Sequence, residues 1–164
     1  MKKIITLICL MTFFGIQAQD IQGGLKLSVN LPMFSGDVDN TKGKVGYSIG
    51  YFESMMLTDN IALEGEINYT HVAYQLGQGD DFTYEDDINF FEIPLMAKYV
   101  FNDFHIGGGF QYCLGSVTDF GPIVDLTYYN DNVRFGARAF LGSDKSLTGN
   151  SMTNISAYIG FVIF

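Results

Sequence analysis

Apolar and polar residues alternate with a period of two along most of the chain. Leu25, Leu27, Val29 and Leu31 alternate with Gly24, Lys26, Ser28 and Asn30. Val45, Tyr47, Ile49 and Tyr51 do the same with Lys44, Gly46, Ser48 and Gly50, and Ile61, Leu63, Ile67 and Tyr69 with Glu64, Glu66, Asn68 and Thr70. Four more stretches follow, over residues 91–99, 104–112, 120–128 and 133–139, with Glu92, Lys98, His105, Gln111, Asp125, Arg134 and Arg138 between their apolar residues. Successive side chains of a strand point to opposite faces, so each stretch predicts a strand with one apolar and one polar face. Residues 155–164 are apolar in both phases and predict an eighth strand whose facing is undetermined.

The connections fall into two kinds. Three are short turns, Thr58-Asp59-Asn60, Asn102-Asp103 and Asn130-Asp131-Asn132, and three are long and polar, over residues 32–43, 75–87 and 143–153. The one near residues 116–118 is shorter than the other long ones. Short turns at one end and long loops at the other are the pattern of an outer-membrane barrel, with its turns in the periplasm and its loops outside. Strands of such barrels need about 10 tilted residues to cross the bilayer. The predicted fold is therefore all-β: a closed, eight-stranded, antiparallel, up-and-down transmembrane barrel.

Composition narrows the class. At 48% hydrophobic and 16% charged residues, the chain of 164 is no disordered protein. Its 9 basic against 18 acidic residues have the wrong sign for nucleic-acid binding. The beginning reads as an export signal: Lys2 and Lys3, an apolar run over residues 4–16, then Ala18. That run is too short to span a bilayer as a helix, which takes about 20 residues. Cleavage after Ala18 divides the chain into a signal peptide, 1–18, and a barrel domain, 19–164. The remainder keeps Cys113 alone, so no internal disulfide supports it, and the outer membrane is the expected location. The chain ends on Phe164 after an apolar strand, as expected of a sorting signal read by the barrel assembly machinery.

The stretch from Asn89 to Tyr99, with Glu92, Ile93, Pro94, Leu95, Lys98 and Tyr99, resembles a motif of the PorT-like outer-membrane β-barrel family of Gram-negative bacteria. Asp119-Phe120-Gly121 before a strand and the terminal aromatic are similar to the same family. The resemblance implies an eight-stranded barrel of the OmpA/OmpX architectural class and no shared enzymatic activity. Accessory roles in protein secretion occur in that family, but no residue here marks one.

The polar face gathers Lys26, Glu64, Glu66, Glu92, Lys98, His105, Asp125, Arg134 and Arg138. They could line an ion path or supply a carboxylate pair for catalysis. A buried charge needs a partner, however, and an eight-stranded barrel is about wide enough to be filled by side chains. An interior charge network of Lys26, Glu64, Glu66, Glu92, Lys98, Asp125, Arg134 and Arg138 is expected. Counting outward from the turn at 130–132 puts Asp125 opposite Arg138, and the turn at 102–103 puts Lys98 opposite Gly107. Glu64 and Glu66 share one face, where a cation or a basic partner is expected. Aromatic girdles are expected at two levels: Tyr99, Phe101, Phe104, Tyr128 and Phe164 by the turns, Tyr69, Phe91, Tyr112 and Phe120 by the loops.

Other features carry less. Asp80, Asp81, Glu85, Asp86 and Asp87 form an acidic run without EF-hand spacing. His71 and His105 lie on opposite faces and form no metal pair or triad. The run Gly107-Gly108-Gly109 is expected to permit curvature or close packing, and Pro94 to sit at a bulge. The sequence thus predicts a plugged outer-membrane barrel with a structural or surface-interaction role. Its partners would be outer-membrane lipids, the assembly machinery and a surface partner of the loops, with no catalytic, metal or cofactor site and no nucleic acid. The alternative is an exported soluble barrel that binds a small apolar ligand, as lipocalins do, which requires an apolar lumen.

Overall fold

The computed structural model describes residues 21–36, 41–78, 81–116, 118–143 and 150–164. The signal segment 1–18 and the loop tips at Asp37, Asp80 and Lys145 lie outside them. The strands are β1 (Ile21–Gly36), β2 (Thr41–Gly43), β3 (Gly46–Thr58), β4 (Ile61–Gln78), β5 (Asp81–Phe101), β6 (Phe104–Gly115), β7 (Asp119–Asn130), β8 (Val133–Leu141) and β9 (Asn150–Val162). All but β2 are staves of one barrel, each antiparallel to the next in the chain. Pairing of β1 with β9 and of β4 with β5 closes it. The short β2 lies against the far end of β4.

Ladder partners followed round the barrel run from Gln22 through Ser54, Glu64, Met96, Gly109, Ile123, Phe140 and Asn154 to Pro32. The path returns to β1 ten residues beyond its start, and this shear sets strand tilt and barrel width together.

The two faces have the polarity of a membrane barrel. On β1 the outward Leu25, Leu27, Val29 and Leu31 are 47–53% exposed, while Lys26, Ser28 and Asn30 between them are buried. A lipocalin-like barrel would carry the reverse. The eighth stave, β9, directs Ile155 and Phe161 outward and Ser156 and Tyr158 inward. Aromatic pairs occur at both levels: Phe104 with Tyr128 beside the turns (ring centroids 5.0 Å apart), and Tyr69 with Phe91 (5.6 Å) toward the long connections. The turns use residues that tolerate left-handed backbone, Asn102 at φ 51° and Asp131 at φ 52°.

Three expectations need correction. The connection over residues 75–87 is mostly strand, because β4 runs to Gln78 and β5 starts at Asp81. Asp81, Glu85, Asp86 and Asp87 thus belong to β5, whose pairing with β4 continues past the ladders to β3 and β6. Pro94 causes no bulge: the register on its β6 side is unbroken from Phe90 to Phe101. Toward β4 the same register holds from Tyr99 to Leu95 and from Glu92 to Tyr84, with the rungs at Ile93 and Pro94 missing between. The neighbouring rungs hold the register, so the absent N–H costs pairing locally and shifts nothing. Finally, the lumen is not polar throughout. Phe34, Val72, Tyr74, Ile88, Phe90 and Met152 cluster inside toward the long connections, and the cluster descends one wall as Phe140, Ile123 and Met96.

The glycine run permits close packing. A Cβ on Gly107 would lie 2.5 Å from Lys98 Cγ, and one on Gly109 would lie 2.0 Å from the Leu95 carbonyl oxygen and 2.8 Å from Met96 Cα. The atoms facing Gly109 are backbone and cannot swing aside. Gly109→Ala is therefore expected to lower the folded fraction severalfold on refolding into detergent, read from the gel mobility of unheated samples. Refolding at wild-type yield would mean that β5 and β6 can part there without harm.

Candidate functional site: the lumen

Inward positions of five staves converge on one cluster of charges. Period-two geometry turns Lys26 of β1, Glu64 and Glu66 of β4, Lys98 of β5, Asp125 of β7 and both arginines of β8 to the inside, and all are buried. Arg138 donates from Nη1 and Nη2 to Glu66 (2.7 and 2.9 Å) and from Nε to Asp125 Oδ1 (2.9 Å). Asp125 and Arg138 are ladder partners, as counted from their turn. Arg134 reaches Glu64 Oε2 at 2.8 Å and Glu66 Oε1 at 3.1 Å. Lys98, opposite Gly107, lies 2.9 Å from Glu64 Oε1 and 2.8 Å from Asp125 Oδ2. Lys26 pairs with Glu66. The basic partners expected at Glu64 and Glu66 are thus four side chains of the barrel itself.

Such an arrangement answers the cost of taking ions out of water, because each of these three carboxylates serves at least two bases, and Asp125 also accepts from hydroxyls. Tyr158 donates to Asp125 Oδ2 at 2.9 Å and shares a 2.6 Å hydrogen bond with Thr127. Thr127 also accepts from Lys98 Nζ at 3.0 Å. The Arg134 guanidinium stacks on Phe52, 3.3 Å from the ring centroid.

Tyr158 and Phe52 were not among the sequence candidates. Tyr158 lies on the strand that is apolar in both phases, so parity gave no facing for it. Thr127 was legible, two residues from Asp125 on the same strand.

Two residues of the predicted polar face stand apart. Glu92 is buried but forms no ion pair among the described residues. Its height in the barrel puts it beyond the bases that hold the other three acids. His105 is only half-buried and stacks on Tyr129 (centroids 4.2 Å apart) at the turn end of the lumen. There a pocket of about 270 Å³ opens between Gln22, Ser54, His105, Tyr129 and the turn residues Asp103 and Asp131.

The remaining candidates are scattered. His71 meets Asn89 Oδ1 at 3.0 Å and Asp87 at 3.6 Å. Of the acidic run, Asp86 accepts from Tyr74 Oη at 3.3 Å. Cys113 is a buried free thiol. Phe164 stands at the β9–β1 seam, where its carbonyl accepts from Gly23 N at 2.9 Å.

Comparison with known proteins agrees with this architecture. Ail, the attachment invasion locus protein of Yersinia pestis, has a similar structure in complex with the heparin analogue sucrose octasulfate: TM-score 0.53 at 11% identity, over 88% of this chain and 100% of Ail. A second Ail structure gives TM-score 0.53 at 10% identity, with the same coverage. A designed transmembrane β-barrel has TM-score 0.44 at 15% identity, over 90% of this chain and 100% of the design. At such identities the likeness to Ail shows the fold alone. No curated protein matches the sequence. The outer membrane protein beta-barrel domain matches residues 6–157, nearly the whole of the closed sheet. On that match the chain belongs to the outer membrane protein beta-barrel domain family and is an integral outer-membrane barrel.

Proposed function

We propose that this is a non-conducting barrel that works at the cell surface through its long connections, chiefly the β4–β5 hairpin. The observation that carries the reading is the buried network of ion pairs across the lumen. Ion-paired side chains fill the lumen above the pocket at its turn end, and an apolar cluster fills the end toward the long connections.

The hairpin supports the surface role. β4 and β5 pair with each other as far as Gln78 and Asp81, whereas the ladders to β3 and β6 stop at His71 and Phe90. Asp86 and Asp87 on it favour a basic partner, opposite in sign to the sulfated analogue found with Ail. The Glu92–Tyr99 stretch supports the PorT-like branch of the family. The signal over residues 1–18 and the terminal Phe164 support export and recognition by the assembly machinery.

Planar-bilayer recording of the purified protein is expected to give no stable current, and large, steady single-channel steps would sink the plugged reading. On whole cells, joining Gln75 to Asp86 by a two-residue turn should leave barrel assembly intact and abolish surface adhesion. Undiminished adhesion would remove the hairpin from the role.

A further inference from the structure

One charged side chain faces the lipid. The outward positions of β3 include Ile49, Tyr51, Glu53, Met55 and Leu57, while Phe52 and Ser54 between them are buried. Among the described residues Glu53 is the only charged side chain on the outer wall between the short turns and the aromatic level of Tyr69 and Phe91. The other charges of that span point inward and are buried. Glu53 itself is exposed and forms no hydrogen bond or ion pair among the described residues. An ionisable side chain on a membrane-facing wall calls for a partner, because lipid tails replace none of the hydration it loses.

Its depth says where the partner comes from. Glu53 is the ladder partner of Gly65, four residues up β4 from Ile61. The strand tilt sets it about one residue lower than that partner, roughly 8 Å above the turns. This is the level at which aromatic side chains meet lipid headgroups.

The surroundings of the carboxylate are one-sided. Glycine faces Glu53 on both neighbouring strands, Gly23 on β1 and Gly65 on β4. A Cβ on Gly23 would lie 2.6 Å from Phe164 Cζ and 2.7 Å from Tyr51 Oη, so two rings cover that side. A Cβ on Gly65 would meet nothing within 4 Å. A glycine inside a strand weakens it and marks a place where something approaches the backbone closely. At Gly23 the rings do so, and at Gly65 no described residue does. The result is a notch one side chain wide, with the carboxylate and the rings on one flank and Leu63 and Ile67 at its ends along β4.

The occupant must be cationic to match Glu53, narrow enough for the notch, and present at headgroup depth. A second copy fails, because no lysine or arginine lies on this span of its outer wall among the described residues, and a twofold contact would set Glu53 against Glu53. A bare divalent ion fails too. It takes about six or more oxygen ligands, and no group of three candidate ligands exists among the described residues. A primary ammonium meets all three conditions, since carboxylates bind it by charge-assisted hydrogen bonds and aromatic rings by their faces.

We propose that the notch holds the ammonium of an aminophospholipid headgroup, seating one such lipid against β3 and β4 at the turn end of the barrel. Native mass spectrometry of the protein released from detergent micelles tests this with phosphatidylethanolamine and its N-acetylated form, which lacks the cation. The wild type is expected to retain phosphatidylethanolamine severalfold over the N-acetylated lipid. Glu53→Gln should abolish the preference, and Gly65→Leu should reduce it by filling the notch while leaving the charge. Equal retention of the two lipids by the wild type, or an unchanged preference in Glu53→Gln, would overturn the proposal. So would a photoreactive side chain in place of Leu63 that cross-links in cells to a protein and not to lipid, which would assign Glu53 to a partner's basic residue. The wild-type comparison decides even where a variant does not fold.

Discussion

Replacing Glu66 with glutamine is expected to cost about 3–5 kcal/mol of barrel stability, the range seen when one partner of a buried ion pair is removed. The substitution keeps the shape of the side chain, so the loss is electrostatic. Glu66 is the carboxylate on which Lys26, Arg134 and Arg138 meet. Without its charge those three cations face one another in a space closed to bulk water. Among the described residues Glu64 pairs with two bases, Lys98 and Arg134, so Glu64→Gln should cost less. Urea unfolding in detergent followed by circular dichroism gives both values. A loss below about 1 kcal/mol for Glu66→Gln would mean that water or lipid headgroups already screen the cluster.

Exchanging the ladder partners Asp125 and Arg138 is the second large effect. For an isolated cross-strand pair, charge reversal at both positions would restore most of what either single reversal loses. Here each partner is also held from another direction. Arg138 donates to both oxygens of Glu66, and Asp125 accepts from Tyr158 while lying 2.8 Å from Lys98. In the double variant an aspartate at 138 would face Glu66 and an arginine at 125 would face Lys98. Asp125→Arg combined with Arg138→Asp is therefore expected to stay as unstable as the single reversals, each down by about 3–5 kcal/mol. Recovery of most of the loss in a thermodynamic cycle would show that the pair acts alone and that the network coupling is weak.

Much of this was legible in the residues. A stave of this barrel has lipid on one side and a closed lumen on the other, so every second residue answers to a different solvent, and period-two alternation located seven of the eight staves and their faces. Asp125 against Arg138 and Lys98 against Gly107 followed from counting outward from tight turns, where Asn and Asp accept left-handed backbone. Parity and short-range counting are properties of the local chain, and they survive whatever the rest of the molecule does.

Other features needed the closed sheet. Residues 75–87 read as a loop because beyond the bilayer no second solvent imposes an alternation, and pairing of β4 with β5 decides that residues 75–78 and 81–87 are strand. The facing of Tyr158 came from the register of β9 against β1 and β8, since its own neighbours are apolar in both phases. Pro94 suggested a bulge by its local chemistry, which the rungs on either side override. Glu92 has the same parity as Glu64 and Glu66, yet it meets no base among the described residues. Parity says only that a side chain enters the lumen, whereas the height at which it enters, and so which charge it can reach, depends on a shear that exists only once β9 has closed against β1.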